Sequence, residues 1–271
     1  MSQPARGVPA YDYANLTVAV DDKIAVLTLN RPETLNAVSY EMHHELERVF
    51  RDLNSDPRVD VIVVTGAGKA FSAGGDFNFM KDLHTDLEKR YEIFLGAWEV
   101  VDALIELKKP IVSAVNGAAT GLGLTVALLC DIVYAGQSAR MGDPHVRAGI
   151  VAGDGGCLIW PLLVGINRAK EYLLTGDLMD AETAEKIGLV NRVFPDDELM
   201  NAAMSLAKRL AEGPTQAIRW TKMSLNQWLR QAHVTSFAMS LALEQFAFAT
   251  NDQLEAVSAF MEKRRPKFTG L

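Results

Sequence analysis

The sequence predicts an α/β protein built on a largely parallel sheet and followed by a helical C-terminal region. Three observations carry this. Short, continuously apolar runs at 61–64, 111–115 and 132–135 suit strands buried on both faces. Between them stand glycine-rich turns and helical patterns, a strand–helix–strand rhythm that calls for crossovers and parallel pairing. After residue 181 the patterns become almost wholly helical, with hardly a strand signal among them. We divide the chain near residue 195, into an α/β core over 1–195 and a helical region over 196–271.

The first elements alternate. Leu16, Val18 and Val20, then Ala25, Leu27 and Leu29, are period-two patterns separated by Asp21-Asp22-Lys23, which reads as a hairpin. Asn30-Arg31-Pro32 breaks the second strand. A helix is predicted over 39–52, with Met42, Leu46, Val49 and Phe50 on one face and Ser39 as its cap. The strand at 61–64 leads into two small-residue loops, Gly66-Ala67-Gly68 and Phe71-Ser72-Ala73-Gly74-Gly75-Asp76. Residues 87–107 read as a long amphipathic helix that Pro110 ends, and 121–129 as a buried helix. Downstream, helices are predicted over 181–186, 198–211, 214–230, 234–250 and 251–263.

Composition excludes several classes. With 49% hydrophobic and 23% charged residues the chain is neither disordered, collagenous nor a coiled coil. A net charge of −7 speaks against broad nucleic-acid binding, which relies on many Lys and Arg contacts to phosphate. Cys130 and Cys157 have no CxxC spacing for zinc and read as reduced core thiols. Residues 111–130 carry no charge, yet Gly117, Gly121 and Gly123 interrupt them, so strand, turn and buried helix fit better than a membrane span. Residues 1–15 hold one Arg, one Asp and no apolar run, unlike a signal peptide, and a cytoplasmic protein is expected.

The chain has no GxSxG elbow, GxxxxGK loop or HExxH pair. Gly121-Leu122-Gly123 imitates the start of a dinucleotide fingerprint but has no third glycine. Two glycine-rich turns remain, 72–76 and 116–123, each after a buried strand and before a helix. Small residues there serve tight turns and close packing. They also suit a second purpose: a helix N-terminus leaves unpaired N–H donors in a positive field, and two converging donors make an oxyanion hole. His43 and His44 on the first helix, His84 and His233 read as surface or interface residues. Trp220, Trp228, Phe237, Phe246 and Phe248 read as core or subunit contacts.

Several motifs resemble the crotonase superfamily, which includes the enoyl-CoA hydratases and isomerases. They are Asn30-Arg31-Pro32-Glu33-Thr34-Leu35-Asn36-Ala37, Phe71-Ser72-Ala73-Gly74-Gly75-Asp76-Phe77, Lys109-Pro110-Ile111-Val112-Ser113-Ala114-Val115-Asn116-Gly117, and Leu173-Leu174-Thr175-Gly176-Asp177. The segment Ser258-Ala259-Phe260-Met261-Glu262-Lys263-Arg264-Arg265-Pro266-Lys267-Phe268 is similar to the family's C-terminal box. The resemblance runs from about residue 14 to 269. It implies a spiral of ββα repeats with a helical trimerisation region, trimers that pair into hexamers, and a CoA thioester held by the N–H groups of Gly75 and Leu122. The CoA would enter as part of the substrate, with no separate cofactor and no metal. Glu33, Thr34, Leu35, Ala73, Gly74, Asp76, Phe77, Gly121, Thr125, Lys263 and Phe268 would contact substrate or CoA. Glu33 departs from the basic or neutral residue expected near the phosphates.

The family's hydratases place two glutamates across a catalytic water. Those positions correspond here to Thr125 and His145. A threonine hydroxyl is no base near neutral pH, whereas an imidazole with a pKa of about 6.5 suits acid/base work. Asp154 lies nine residues on, in Gly153-Asp154-Gly155-Gly156. Spacing alone leaves open whether the two side chains meet. However, Gly142-Asp143-Pro144-His145 with Ala148-Gly149-Ile150-Val151-Ala152-Gly153-Asp154-Gly155 and Trp160-Pro161 resembles the β-diketone hydrolase branch, which implies a His145–Asp154 pair. The leading expectation is an acyl-CoA lyase of the hydratase type, as in fatty acid metabolism. The alternatives are retro-Claisen hydrolysis of a β-diketone or β-keto acyl group, and a non-catalytic CoA-binding or assembly member.

Overall fold

A computed structural model describes residues 9–270, apart from the side chains of residues 77 and 78. Two sheets are interleaved along the chain. β1 (Leu16–Asp21) and β2 (Ile24–Leu29) form the expected antiparallel hairpin, turned at Asp22 and Lys23, which both adopt positive φ. After a 3₁₀ turn at Pro32–Thr34, α1 (Tyr40–Ser55) starts at Ser39, whose Oγ accepts from the Met42 N–H at 3.3 Å.

Three repeats follow, each a long strand, a short strand and helix. In the first, β3 (Val61–Gly66) and β4 (Ala70–Ser72) precede α2 (Phe77–Thr85) and α3 (Leu87–Glu106). In the second, β5 (Ile111–Val115) and β6 (Ala118–Thr120) precede α4 (Gly121–Leu128). In the third, β7 (Ile132–Gly136) and β8 (Arg140–Gly142) lead through a 3₁₀ turn, His145–Ala148, to α5 (Gly156–Val164) and α6 (Ile166–Thr175). The long strands and the short β10 join one sheet in the order β1-β2-β3-β5-β7-β10, parallel beyond the hairpin. The other short ones form a second sheet, β4-β6-β8-β9. Here β9 is Met179–Asp180 and β10 is Arg192–Phe194, with α7 (Ala181–Ile187) between them.

The remaining chain is helical: α8 (Leu199–Ala211), α9 (Thr215–Ala232), α10 (Ala238–Phe248) and α11 (Asn251–Met261). Helix α8 lies beyond residue 195 yet buries Leu199, Ala203 and Ala207 against Val61, Val63 and Val112 of the main sheet. The helix expected over 234–250 is split, because His233–Phe237 forms a π-turn before α10. The uncharged stretch 111–130 resolves into β5, β6 and α4. Among the described residues, no helix is long and apolar enough to cross a membrane.

Candidate active site

The two glycine-rich turns come together. In the first, Ser72 Oγ donates to the Asn36 carbonyl at 2.7 Å, and the Ala73 N–H donates to the Leu35 carbonyl at 3.0 Å. Asn36, in the left-handed region at φ 55°, ties this segment to Ala67 and Ala70 through its Nδ2. Val38 bridges Gly75 in parallel, using the Gly74 carbonyl (2.8 Å) and the Asp76 N–H (3.0 Å). A parallel bridge made this way turns the N–H of the middle residue, Gly75, away from Val38.

The second donor comes from α4. Leu122 is its second residue, so its N–H has no acceptor within the helix. Thr120 at the cap supplies no side-chain bond. The turns touch at Gly74 and Gly121: a Cβ at Gly121 would stand 3.7 Å from Gly74 Cα and 3.3 Å from His145 Cε1. The imidazole therefore packs against the turn that opens α4.

His145 opens the 3₁₀ turn after β8 and is clamped at both ring nitrogens. Nδ1 hydrogen-bonds Asp143 Oδ1, and Nε2 lies 3.3 Å from Asp154 Oδ2 and 3.9 Å from Glu244 Oε1 of α10. Asp143 is buried, and its Oδ2 sits so near the start of α5 that a Cβ at Gly156 would fall 2.2 Å from it. The positive end of that helix favours a carboxylate there. Thr125, also buried, backs Asp154, with Oγ1 3.4 Å from Asp154 Oδ1.

Burial opposes charge on His145, but Asp143 and Asp154 outweigh it and hold the ring's pKa well above the ordinary histidine value. Glu244 moves up too, pushed by burial and by the Asp154 carboxylate against the partial relief of His145. The cluster thus pairs an imidazole and a carboxyl group that both hold a proton to higher pH than usual. The ligand atoms of Asp143, His145 and Asp154 lie within 4.8 Å of one another. Because each ring nitrogen faces its own carboxylate, the imidazole separates the acids, unlike a set of lone pairs converging on an ion. Cys157 nearby is pushed up to about 11, chiefly by burial, which keeps its thiol protonated and unreactive at neutral pH.

Gly75, Leu122, His145, Asp154 and Glu244 line one cavity of about 430 Å³. Its other walls are mostly apolar, with Phe79, Met80, Leu83 and Ile93 from α2 and α3 and Phe248 and Phe260 from α10 and α11. A model of the enoyl-CoA hydratase/isomerase family matches residues 20–271. The chain belongs to that family. A crotonyl-CoA hydratase from Syntrophomonas wolfei is 38% identical over 260 residues, 94% of this chain and 98% of the relative. The solved structure of an enoyl-CoA hydratase/isomerase from Mycobacterium paratuberculosis has a TM-score of 0.87 at 40% identity, covering 90% and 97% of the two chains. A β-diketone hydrolase from the cyanobacterium Anabaena, bound to (S)-3-oxocyclohexyl acetic acid, reaches 0.83 at 31% identity, covering 89% and 97%. As a crotonase-superfamily member with the fold of these structures, the chain is an enzyme of the hydratase/isomerase type.

This family member brings some of the expected residues to the cavity and leaves others outside it. Ala73, Gly74 and Gly121 line it, whereas Thr125 stands behind Asp154 and is no part of its wall. Glu33 and Thr34 lie in the 3₁₀ turn at Pro32–Thr34, and Leu35 follows at 46% exposure; none of the three lines the cavity. Asp76 pairs with Arg31 at 3.7 Å. Phe77 begins α2, but its side chain falls outside the described residues. Lys263 is exposed past the end of α11, and Phe268 borders a separate hollow of about 370 Å³ beside Ile150 and Ala247.

Two neighbours of His145, Asp143 and Glu244, are not among the residues expected from the sequence to act. Asp143 had a signal, two residues before the histidine in the same motif. Glu244 had none, being one acid on a helix 99 positions away. Two histidines expected at the surface or an interface lie inside the chain: His43 is 2% exposed and lines the cavity, and His233 is buried against Trp98 and Phe237. His84 lies in α2 with Nδ1 on the Phe248 carbonyl, at 3.0 Å.

Proposed function

We propose that the chain processes acyl-CoA thioesters, adding water to or removing it from an enoyl-CoA, with His145 as the base and Glu244 as the acid. The observation that carries this is the packing of a doubly clamped imidazole against the turn that presents the Leu122 N–H. The thioester oxygen accepts from the Gly75 and Leu122 N–H groups. Neutral His145, oriented through Nδ1 by Asp143, takes a proton from water through Nε2 as that water adds to the β-carbon. The electrons move to the thioester oxygen, and the enolate collects its α-proton from Glu244. The proton on His145 then returns to the Glu244 carboxylate. CoA enters as part of the substrate, and the mechanism calls for no separate cofactor or metal. The names of relatives at 35–38% identity support the substrate class.

A second reading has a specific observation behind it: the His145–Asp154 contact together with the likeness to a β-diketone hydrolase. There the same base directs water onto one carbonyl of a 1,3-diketone. The carbon–carbon bond breaks, and the departing enolate rests in the same pair of N–H groups before taking a proton. We also propose a cytoplasmic homo-oligomer built from trimers.

The test is kinetic. Crotonyl-CoA hydration should be measurable in the wild type and fall by about 10²–10⁴-fold in His145→Ala, the usual loss for one acid/base group. Equal rates in the two proteins would remove His145 from the mechanism. Cleavage of a CoA-free cyclic 1,3-diketone, with no action on crotonyl-CoA, would replace the first reading by the second.

A further inference from the structure

The cavity has a second polar point that the reaction above does not use. His43, on α1, lines it yet is only 2% exposed. Its Nδ1 faces Glu47 Oε1 at 3.0 Å, and the neighbouring His44 reaches the same oxygen at 2.9 Å. Burial disfavours the Glu47 charge, but bonds from the two histidines outweigh it and lower its pKa. A carboxylate can only accept, so the His43 proton sits on Nδ1, which makes Nε2 the acceptor of this cavity-lining ring.

The surroundings of this pair are shaped to admit it. A Cβ at Gly96 would fall 2.1 Å from Glu47 Oε1 and 2.8 Å from His43 Cε1, so a side chain there would displace both groups. Ile93 and Ala97, on either side of Gly96 in α3, line the same cavity. A buried, oriented imidazole thus stands in a wall otherwise made of Met80, Leu83, Ile93 and Ala97. In an apolar pocket such a group discriminates by what it can pair with, because a ligand that leaves it unpaired loses a hydrogen bond.

We infer that His43 selects acyl groups carrying a hydroxyl on the portion of the chain that lies against α1 and α3. A hydroxyl suits Nε2 in either protonation state, since it both donates and accepts. A plain alkyl chain would fill the apolar wall but leave Nε2 without a partner. This inference rests on the acyl-CoA reading and deepens it.

The experiment compares two trans-2-enoyl-CoA thioesters of equal heavy-atom count, one ending in hydroxymethyl and one in ethyl, at matched chain lengths from four to ten carbons. At the length that reaches His43, the wild type should favour the hydroxylated thioester by about tenfold in kcat/KM, the scale of one net hydrogen bond. In His43→Leu that ratio should fall below one, and His43→Gln, which keeps a polar end, should restore part of it. The ratio is taken within one preparation, so it does not depend on how much of a variant folds. A wild-type ratio near one at every length, or an unchanged ratio in His43→Leu, overturns the inference and leaves the acyl-CoA reading standing. Failure of the wild type to turn over either series overturns the acyl-CoA reading, and this inference with it.

Discussion

As the proposed base, His145 acts only after it gives up a proton that Asp143 and Asp154 help it keep. The sign follows from that. An anion beside the ring raises its pKa, so the neutral, active form gains population at higher pH than for a free histidine. We predict that kcat/KM rises with pH along a limb placed above the ordinary histidine value of about 6.5. Asp143→Asn keeps an acceptor for Nδ1 but removes the charge, and should move that limb to lower pH. A limb that stays in place in Asp143→Asn would show that another group titrates there. At this scale the sequence revealed the histidine and one of its acids. An imidazole announces itself by residue type, and its position in a motif gave it a role. Glu244 was illegible because its closeness to Nε2 comes from the packing of α10 over the third repeat, a long-range contact that no local pattern encodes. The burial of His43 escaped for a related reason, since Gly96, the residue that makes room for it, stands 53 positions away.

The long elements were legible because their patterns are long. β1, β2, β3, β5 and β7 each carry five or six residues of alternating or continuous apolarity, and α1 carries both its buried stripe and its Ser39 cap. The strands β4, β6 and β8 hold three residues each, too few for a period to show, and their pairing forms only when three repeats stack. Yet these short strands and the helices after them aim the chemistry. β6 delivers the start of α4, and β8 delivers Asp143 and His145. The approach of Asp143 to the α5 N-terminus gives a test at this level. Gly156→Ala would place a methyl where Asp143 Oδ2 now lies, and Ala152 Cβ, 3.0 Å off, blocks the other side. Overpacking of this kind costs about 1–3 kcal/mol. We expect urea denaturation to register that loss, and kcat to fall at least tenfold as the clamp on Nδ1 is displaced. A stable, fully active Gly156→Ala protein would mean that the clamp tolerates movement and does not position the ring.

On the scale of the whole molecule, the apolar surface is unevenly placed. The strands of the main sheet bury most of their large side chains, but Trp220 and Trp228 of α9 and Phe246 of α10 are 63%, 67% and 74% exposed. Leu225, Val234 and Met239 on the same stretch of chain are exposed as well. Each large aromatic left in water forgoes about 1.5–3 kcal/mol of burial, and clusters of such residues mark surfaces that meet another protein. We propose that further copies of this chain cover that surface, a patch meeting a different patch on its neighbour and closing into a ring. Light scattering on a sizing column should therefore give a mass three or six times that of the 29.7 kDa chain. Trp228→Lys combined with Phe246→Lys should lower that mass toward the single chain while leaving the helical circular dichroism intact, because neither side chain belongs to the core. A wild-type chain that runs as a monomer at micromolar concentration would refute the assembly and leave this aromatic surface to some other partner.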